Sequence, residues 1–105
     1  MGTPTRLDGF CDRHAQVSVA AANTYYPLVP AQAQGAYIGY VTVSYGGAGT
    51  VLFTLQDPTG DQWLNTSIPG PNQTIVIPLR IVSYVELGTL FTVAGATVTA
   101  AWRAL

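Results

Sequence analysis

Hydrophobic and polar residues alternate along most of this chain, a pattern typical of β-strands that bury one face. The alternation is strongest over Ala36–Ser44 and Thr50–Gln56, which are rich in β-branched and aromatic residues. It predicts strands over residues 15–21, 36–44, 50–56, 62–66, 74–79, 80–87, 90–93 and 96–103. The segment between Pro27 and Pro30 can form only an edge strand or a crossing connection, because proline has no N–H to donate. No segment has the periodicity of an amphipathic helix.

Turn residues separate the predicted strands. Residues 45–49, Tyr-Gly-Gly-Ala-Gly, predict the loop of a hairpin between the two strongest strands. Asp57–Gly60 has Asp, Pro and Gly at its first, second and fourth positions, which predicts a type I turn. Gly88 and Thr89 predict a two-residue hairpin loop. Pro78 interrupts a strong strand, so that strand is expected to lie at a sheet edge or to bulge there.

The spacing of strands and turns predicts an all-β fold. About eight short strands at regular intervals indicate an antiparallel β-sandwich or jelly roll, with Trp63 and Trp102 expected in its core. A chain of 105 residues suffices for one domain that buries a core without disulfides or metals. Residues 1–14 lack the alternation and are richer in charge, so we expect them to form an extended N-terminal arm. Residues 15–105 then form the β-sandwich domain.

Charge is nearly absent from the centre of the chain. No Asp, Glu, Lys or Arg occurs in the 42 residues from Ala15 to Gln56, and the whole chain lacks lysine. Charged residues make up 9% of the sequence, against about a quarter in a typical domain. Proteins use charge, lysine above all, to keep exposed strand edges from pairing with other chains. The composition therefore predicts a surface that contacts other protein, either further copies of the chain or a partner.

Composition argues against a membrane or nucleic-acid role. The apolar runs are broken every second or third residue, whereas a spanning helix needs roughly 20 apolar residues. The first residues do not resemble a signal peptide. A net charge of −1 with four scattered arginines makes no basic patch. We expect neither a membrane nor a nucleic acid as partner.

Few residues can support catalysis or hold a metal. His14 is the only histidine and Cys11 the only cysteine, and both lie in the predicted arm, whereas catalysis needs a rigid scaffold. Their C-x-x-H spacing supplies only two of the four ligands of a structural zinc site. Asp57 and Asp61 flank a turn, and capping of that turn explains Asp57 better than calcium binding does. We expect no enzymatic activity, no metal and no cofactor.

Tyrosines are the remaining functional candidates, because tyrosine is enriched in protein interfaces. Tyr37 and Tyr40 are three residues apart, so on a regular strand they point to opposite faces and at least one leaves the core. Phe10 is an apolar anchor with which the arm can reach a neighbouring copy. The predicted assembly contacts are Phe10, Tyr25, Tyr26, Tyr37 and Tyr40.

The stretch QVSVAAANTYYPLVPAQAQGAYIGYVTVSYGGAGTVLFTLQDPTGDQW resembles small structural proteins of tailed-phage particles. In these proteins an opening β-run is followed by a strand, a Gly-rich turn and another strand, in a lysine-poor sequence. In length and composition, residues 15–105 are similar to capsid decoration (cement) proteins and minor capsid proteins. The resemblance implies a sandwich or jelly roll, often trimeric, that sits on the capsid lattice and stabilises the shell.

The first functional hypothesis is therefore a non-enzymatic virion structural protein, a capsid decoration or minor capsid protein. It implies two partners, the major capsid protein and further copies of the chain. Of the possible homo-oligomers, a trimer is favoured. It also implies a location in the virion capsid after synthesis in the host cytoplasm. One alternative is a phage tail or head–tail connector β-domain. Another is a carbohydrate-binding, lectin-like β-sandwich whose exposed aromatic rings stack on sugars.

Overall fold

The computed structural model of the chain describes residues 11–70 and 73–105, and these form β-strands joined by turns. No described residue lies in a helix, which agrees with the all-β prediction. The strands are β1 (Arg13–Ser18), β2 (Tyr26–Val29), β3 (Ala36–Tyr45), β4 (Thr50–Gln56), β5 (Gln62–Pro69), β6 (Gln73–Ser83), β7 (Leu87–Phe91) and β8 (Ala96–Ala104).

The strands form two antiparallel sheets of four. The first sheet has the order β1-β8-β3-β6 and the second the order β2-β7-β4-β5. Pro27 lies on β2 and Pro78 on β6, and both strands are sheet edges. Both proline-based predictions are confirmed, because only an edge strand can lose an N–H donor without breaking a ladder.

Three local predictions were wrong, each because tertiary pairing decided the outcome. Residues 45–49 join β3 to β4, which lie in different sheets, so they form a crossing connection and not a hairpin loop. Gly88 and Thr89 lie inside β7 and not in a turn. The two strands predicted over residues 74–79 and 80–87 are one long strand, β6, as far as Ser83.

A bulge explains how β6 continues past its predicted end. Between Ile38 and Tyr40 the pairing of β3 with β6 shifts, and Arg80 adopts a φ of 53°. A bulge places an extra residue in one strand, and the regular hydrogen-bond ladder continues before and after it. The strand therefore passes through a point at which alternation alone predicts a break.

One hydrophobic cluster takes side chains from both sheets. Phe53 of β4 and Phe91 of β7 are fully buried, with ring centroids 4.9 Å apart and planes inclined at 28°. Ile38 of β3 and Val98 of β8 enter the same cluster from the first sheet. Burying these groups is the main favourable term in folding, at about 25 cal/mol per Å² of apolar surface.

The two tryptophans have different environments. Trp102 of β8 is 5% exposed and belongs to the core, as predicted. Trp63 is 43% exposed, so its predicted core position was wrong. It lies on the edge strand β5, where the alternate residues Leu64 and Ile68 face the cluster and turn Trp63 outward.

The described chain begins with a buried residue. Cys11 has no exposed surface, and β1 starts at Arg13, two residues before the predicted strand. Arg13 and His14 thus belong to the first sheet, although the sequence suggested an arm up to residue 14. Phe10, the predicted anchor of that arm, lies outside the described residues.

Candidate functional site

The outer face of the first sheet carries rows of side chains in cross-strand register. One row is made of hydroxyls only, contributed by one residue from each strand. The Ser44 and Thr74 hydroxyl oxygens in it are 3.0 Å apart, within hydrogen-bond distance. We call this the hydroxyl row, and its members in sheet order are Ser18, Thr97, Ser44 and Thr74. The row adds no charge to the face.

Tyr37 and Tyr40 both lie on this outer face, so the expectation of opposite faces was wrong. Their neighbours Ile38 and Val41 are the buried residues of β3. The register of β3 shifts between Ile38 and Tyr40 against β8 as well as β6. Gly39 is the extra residue there, and it resets the alternation so that both rings point away from the core.

Charges are divided between the sheets. The arginines of the described residues, Arg13, Arg80 and Arg103, all lie on strands of the first sheet, and no acidic residue lies on those strands. The Arg103 guanidinium carbon is 5.2 Å from the Tyr37 ring centroid, a cation–π contact. Among the described acidic residues, Asp57 and Asp61 lie at the connection between β4 and β5, Glu86 lies just before β7, and Asp12 lies before β1. Arg13 lies on the core-facing side over Trp102, so Arg80 and Arg103 are the arginines that make the outer face suited to anions.

Tyr26 is the first residue of β2 in the second sheet and Tyr25 directly precedes it, and both hydroxyls make hydrogen bonds within the chain. The Tyr25 hydroxyl donates a hydrogen bond of 2.9 Å to Glu86 Oε2. Desolvation and that hydrogen bond raise the pKa of Tyr25 well above its usual value, with a smaller contribution from the nearby charges of Glu86 and Asp57. The Tyr26 hydroxyl accepts a hydrogen bond of 2.9 Å from the Ala21 N–H. Both rings hold the entry to β2 in place.

A run of apolar side chains with exposed surface follows β6. This strand pairs with β3 on one side only, and its core-facing residues are only half-buried. Two valines on its outer side are exposed, Val82 by 40%. We call this the β6 surface, and it consists of Ile75, Val76, Ile77, Leu79, Ile81 and Val82. The sequence did not predict this surface, although Pro78 had marked the strand as an edge strand or a bulged one.

The turn between β4 and β5 is held by Asp57. The Gly60 N–H donates to the Asp57 carbonyl at 3.0 Å, which confirms the predicted turn. Asp57 Oδ1 accepts hydrogen bonds from the Thr59 hydroxyl at 2.6 Å, the Thr59 N–H at 2.9 Å and the Asp61 N–H at 3.0 Å. Within residues 11–70 and 73–105, no three His, Cys, Asp or Glu side chains form a group that could hold a metal ion.

These hydrogen bonds predict a pH dependence of stability. The Thr59 hydroxyl, first, and the backbone N–H groups of the turn lower the pKa of Asp57 below its ordinary value of 3.8, despite some desolvation. A folded pKa below the unfolded one contributes stability above the unfolded pKa, and this is lost as the pH falls through the folded pKa. We expect the free energy of unfolding, measured by urea denaturation, to fall in that acid range. The fall should be smaller in Asp57→Asn.

A second variant checks the cause of this shift. Thr59→Ala removes the hydroxyl donor and should raise the pKa of Asp57 towards 3.8. The measurement is a carboxyl NMR titration of both proteins. An unchanged Asp57 titration in Thr59→Ala would contradict the assignment of the shift to that hydroxyl.

The residues considered for catalysis lie at the start of the first sheet. His14 lies on the outer side of β1 opposite Ala101, and Cys11 is buried before the strand begins. No helix in the described part of the chain is long and apolar enough to cross a membrane. What the structure brings together is a face with tyrosines, hydroxyls and arginines beside an apolar strand edge. Such a face can bind, by stacking, hydrogen bonds and charge.

Comparison with protein-family models, curated proteins and solved structures gives no match to this chain.

Proposed function

We propose that this chain is a non-enzymatic structural protein of a tailed-phage virion, with its sheets packed as a jelly-roll β-sandwich. It binds the outside of the capsid as a decoration or minor capsid protein and stabilises the shell. The observation that carries this proposal is the open β6 surface. The order of the strands and the absence of charge over residues 15–56 add to it.

The strand order supports a jelly roll because the pairs are nested. The two halves of the chain pair in reverse order, as in one long hairpin that is rolled up. The pairs are β1 with β8, β2 with β7, β3 with β6 and β4 with β5. Eight strands in two sheets with this nesting are the arrangement that viral capsid and lectin domains share. Since a fold does not by itself imply a function, the surface has to distinguish these two classes.

The β6 surface favours assembly with protein. An edge strand presents unpaired N–H and C=O groups, and natural proteins protect such edges with charge or with a covering partner. Arg80 is the only charged residue in the eleven residues of β6. The half-buried Ile75 and Ile77 remain partly in water unless another chain covers them. Contact with the major capsid protein or with further copies of the chain removes that surface from water.

The mechanism is mechanical. Each copy buries apolar and tyrosine-rich surface across a joint between capsid subunits. A few kcal/mol per contact is sufficient, because many linked contacts act together over the shell. We expect a homo-oligomer and favour a trimer, which would have three times the 11.1 kDa mass of the chain.

A pair of valine variants tests this proposal. Val82 on β6 is 40% exposed and Val93 in the loop before β8 is 36% exposed, so a lysine at either site has little effect on folding. Val82→Lys places a charge where a partner would cover it, which costs several kcal/mol unless the charge is paired. We expect its binding to weaken at least about tenfold, which corresponds to 1.4 kcal/mol. Val93→Lys should bind like the original chain.

Binding is measured by co-sedimentation of the purified chain with heads of a phage whose corresponding gene has been deleted. Light scattering of the free chain measures its oligomeric state. The proposal is supported if the original chain and Val93→Lys sediment with heads and Val82→Lys does not. Binding to purified tails and not to heads would favour the tail alternative. A monomer that binds neither particle would contradict the virion role.

A further inference from the structure

The first sheet contains a double irregularity at its centre. Between Ile38 and Tyr40, strand β3 has one residue more than β8 and one fewer than β6. Gly39 is the extra residue on β3, and Arg80 lies in the corresponding extra segment of β6 with a φ of 53°. Non-glycine residues rarely adopt a positive φ, and bulges are frequent where a side chain is aimed at a binding site.

The irregularity opens a concavity on the outer face. Its volume is about 370 Å³, within the range of roughly 300 to 1,000 Å³ that is usual for small-molecule sites. Gly39 contributes no side chain to fill it. We call it the bulge concavity, and it is lined by Gly39, Tyr40, Thr42, Val76, Pro78 and Arg80. The lining thus combines an aromatic ring, a hydroxyl, aliphatic surface and one cation.

The cation in this concavity, Arg80, has no side-chain partner in the described part of the chain. Arg80 is exposed, and its side chain makes no hydrogen bond or ion pair with the residues that the structure describes. Arg13 and Arg103, by contrast, lie over the rings of Trp102 and Tyr37. A guanidinium presents parallel N–H donors whose geometry matches a carboxylate. The strands of the first sheet carry no acidic residue, so a ligand carboxylate would meet no like charge on them.

We propose that the bulge concavity binds a carboxylated sugar, a uronate. The Arg80 guanidinium donates two hydrogen bonds to the sugar carboxylate. The Tyr40 ring and the aliphatic surface of Val76 and Pro78 contact the apolar face of the sugar ring. The Thr42 hydroxyl exchanges a hydrogen bond with a ring hydroxyl. The concavity shares Val76 with the β6 surface, so a partner on that surface would restrict access to the sugar site, and the two proposals are tested by different variants.

A matched pair of sugars tests the proposal. Galacturonate and galactose differ only at C6, where one has a carboxylate and the other an alcohol. We expect galacturonate to shift the NMR amide signals of Gly39, Tyr40, Thr42 and Val76, and galactose to bind at least about tenfold more weakly. Acetate serves as a carboxylate without a ring. It should not displace galacturonate at equal concentration.

Two arginine variants separate binding from folding. Arg80→Gly removes the guanidinium at a position whose positive φ glycine adopts without strain, so the chain should fold and lose galacturonate binding. Arg13→Gln removes an arginine elsewhere on the same sheet and should bind as before. Val82→Lys, designed against particle binding, should also keep galacturonate binding.

Several results would overturn this assignment. They are the absence of amide shifts with galacturonate, equal binding of galactose or acetate, or undiminished binding by Arg80→Gly. Loss of particle binding in Val82→Lys with galacturonate binding intact would show that particle binding does not need the sugar site. Failure of galacturonate to bind any variant, with particle binding lost only in Val82→Lys, would support the virion role and overturn the sugar site.

Discussion

Replacing Phe53 by alanine is expected to lower the free energy of unfolding by about 4 kcal/mol, because a buried aromatic ring is lost and a cavity is left behind. Phe53 has no exposed surface, and its ring centroid is 4.9 Å from that of Phe91 on the neighbouring strand. Domains of this size are stable by only about 5 to 15 kcal/mol in total. The variant should therefore lose between about a quarter and four fifths of the stability of the original chain. Urea denaturation followed by tryptophan fluorescence measures the loss.

Tyr84→Ala is the control for this prediction. It also removes an aromatic ring, but Tyr84 is 67% exposed and lies after β6. Its loss should cost less than about 1 kcal/mol, since surface substitutions seldom cost more. Equal losses in the two variants would show that Phe53 does not lie in a packed core, and would count against the arrangement of β4 beside β7.

Gly88→Ala is expected to destabilise the protein by about 3 kcal/mol, although it adds only one methyl group. A Cβ at this position would lie 2.4 Å from Tyr25 Cζ and 2.4 Å from the Tyr26 carbonyl oxygen. The Tyr25 ring can turn away only by giving up its hydrogen bond to Glu86. The Tyr26 carbonyl belongs to the paired strand β2 and cannot move without disturbing the β2–β7 ladder. Thermal and urea denaturation measure the effect.

Two further variants sharpen this test. Gly60→Ala has open space around the added methyl but a φ of 93°, so it should cost only about 1 kcal/mol of backbone strain. In the double variant Tyr25→Ala and Gly88→Ala, the clash with the ring is removed and the clash with the Tyr26 carbonyl remains. The double variant should recover only part of the stability. Full recovery would mean that the ring alone makes Gly88 necessary.

Local chemistry predicted the parts of the fold that depend on a few adjacent residues. The Asp57 turn is present as predicted, because Asp57 accepts hydrogen bonds from N–H groups that lie only two and three residues further along the chain. The edge positions of Pro27 and Pro78 followed from a missing N–H. Residues 45–49 have the composition of a hairpin loop, yet they cross between sheets. Composition specifies that a chain reverses or bends, and not which strand it meets afterwards.

The candidate site depended more on tertiary structure. Exposed tyrosines were predicted, and Tyr37 and Tyr40 are half-buried on the outer face. Their common side could not be predicted, because the bulge at Gly39 appears only when β3 is paired with two neighbours of different register. Arg80 had no place in the sequence argument. It becomes a candidate ligand contact only beside Tyr40, 40 positions away along the chain.

The sequence alone determined the class of this protein. Period-2 alternation requires strands with one buried face, proline and glycine mark edges and turns, and the absence of charge over residues 15–56 predicts surfaces that contact other molecules. Only the tertiary structure decided the nesting of the strands, the open β6 surface and the bulge concavity. Each of these depends on register between distant segments. Register is set by which hydrophobic faces can pack together at once, a property of the whole chain that no single segment encodes.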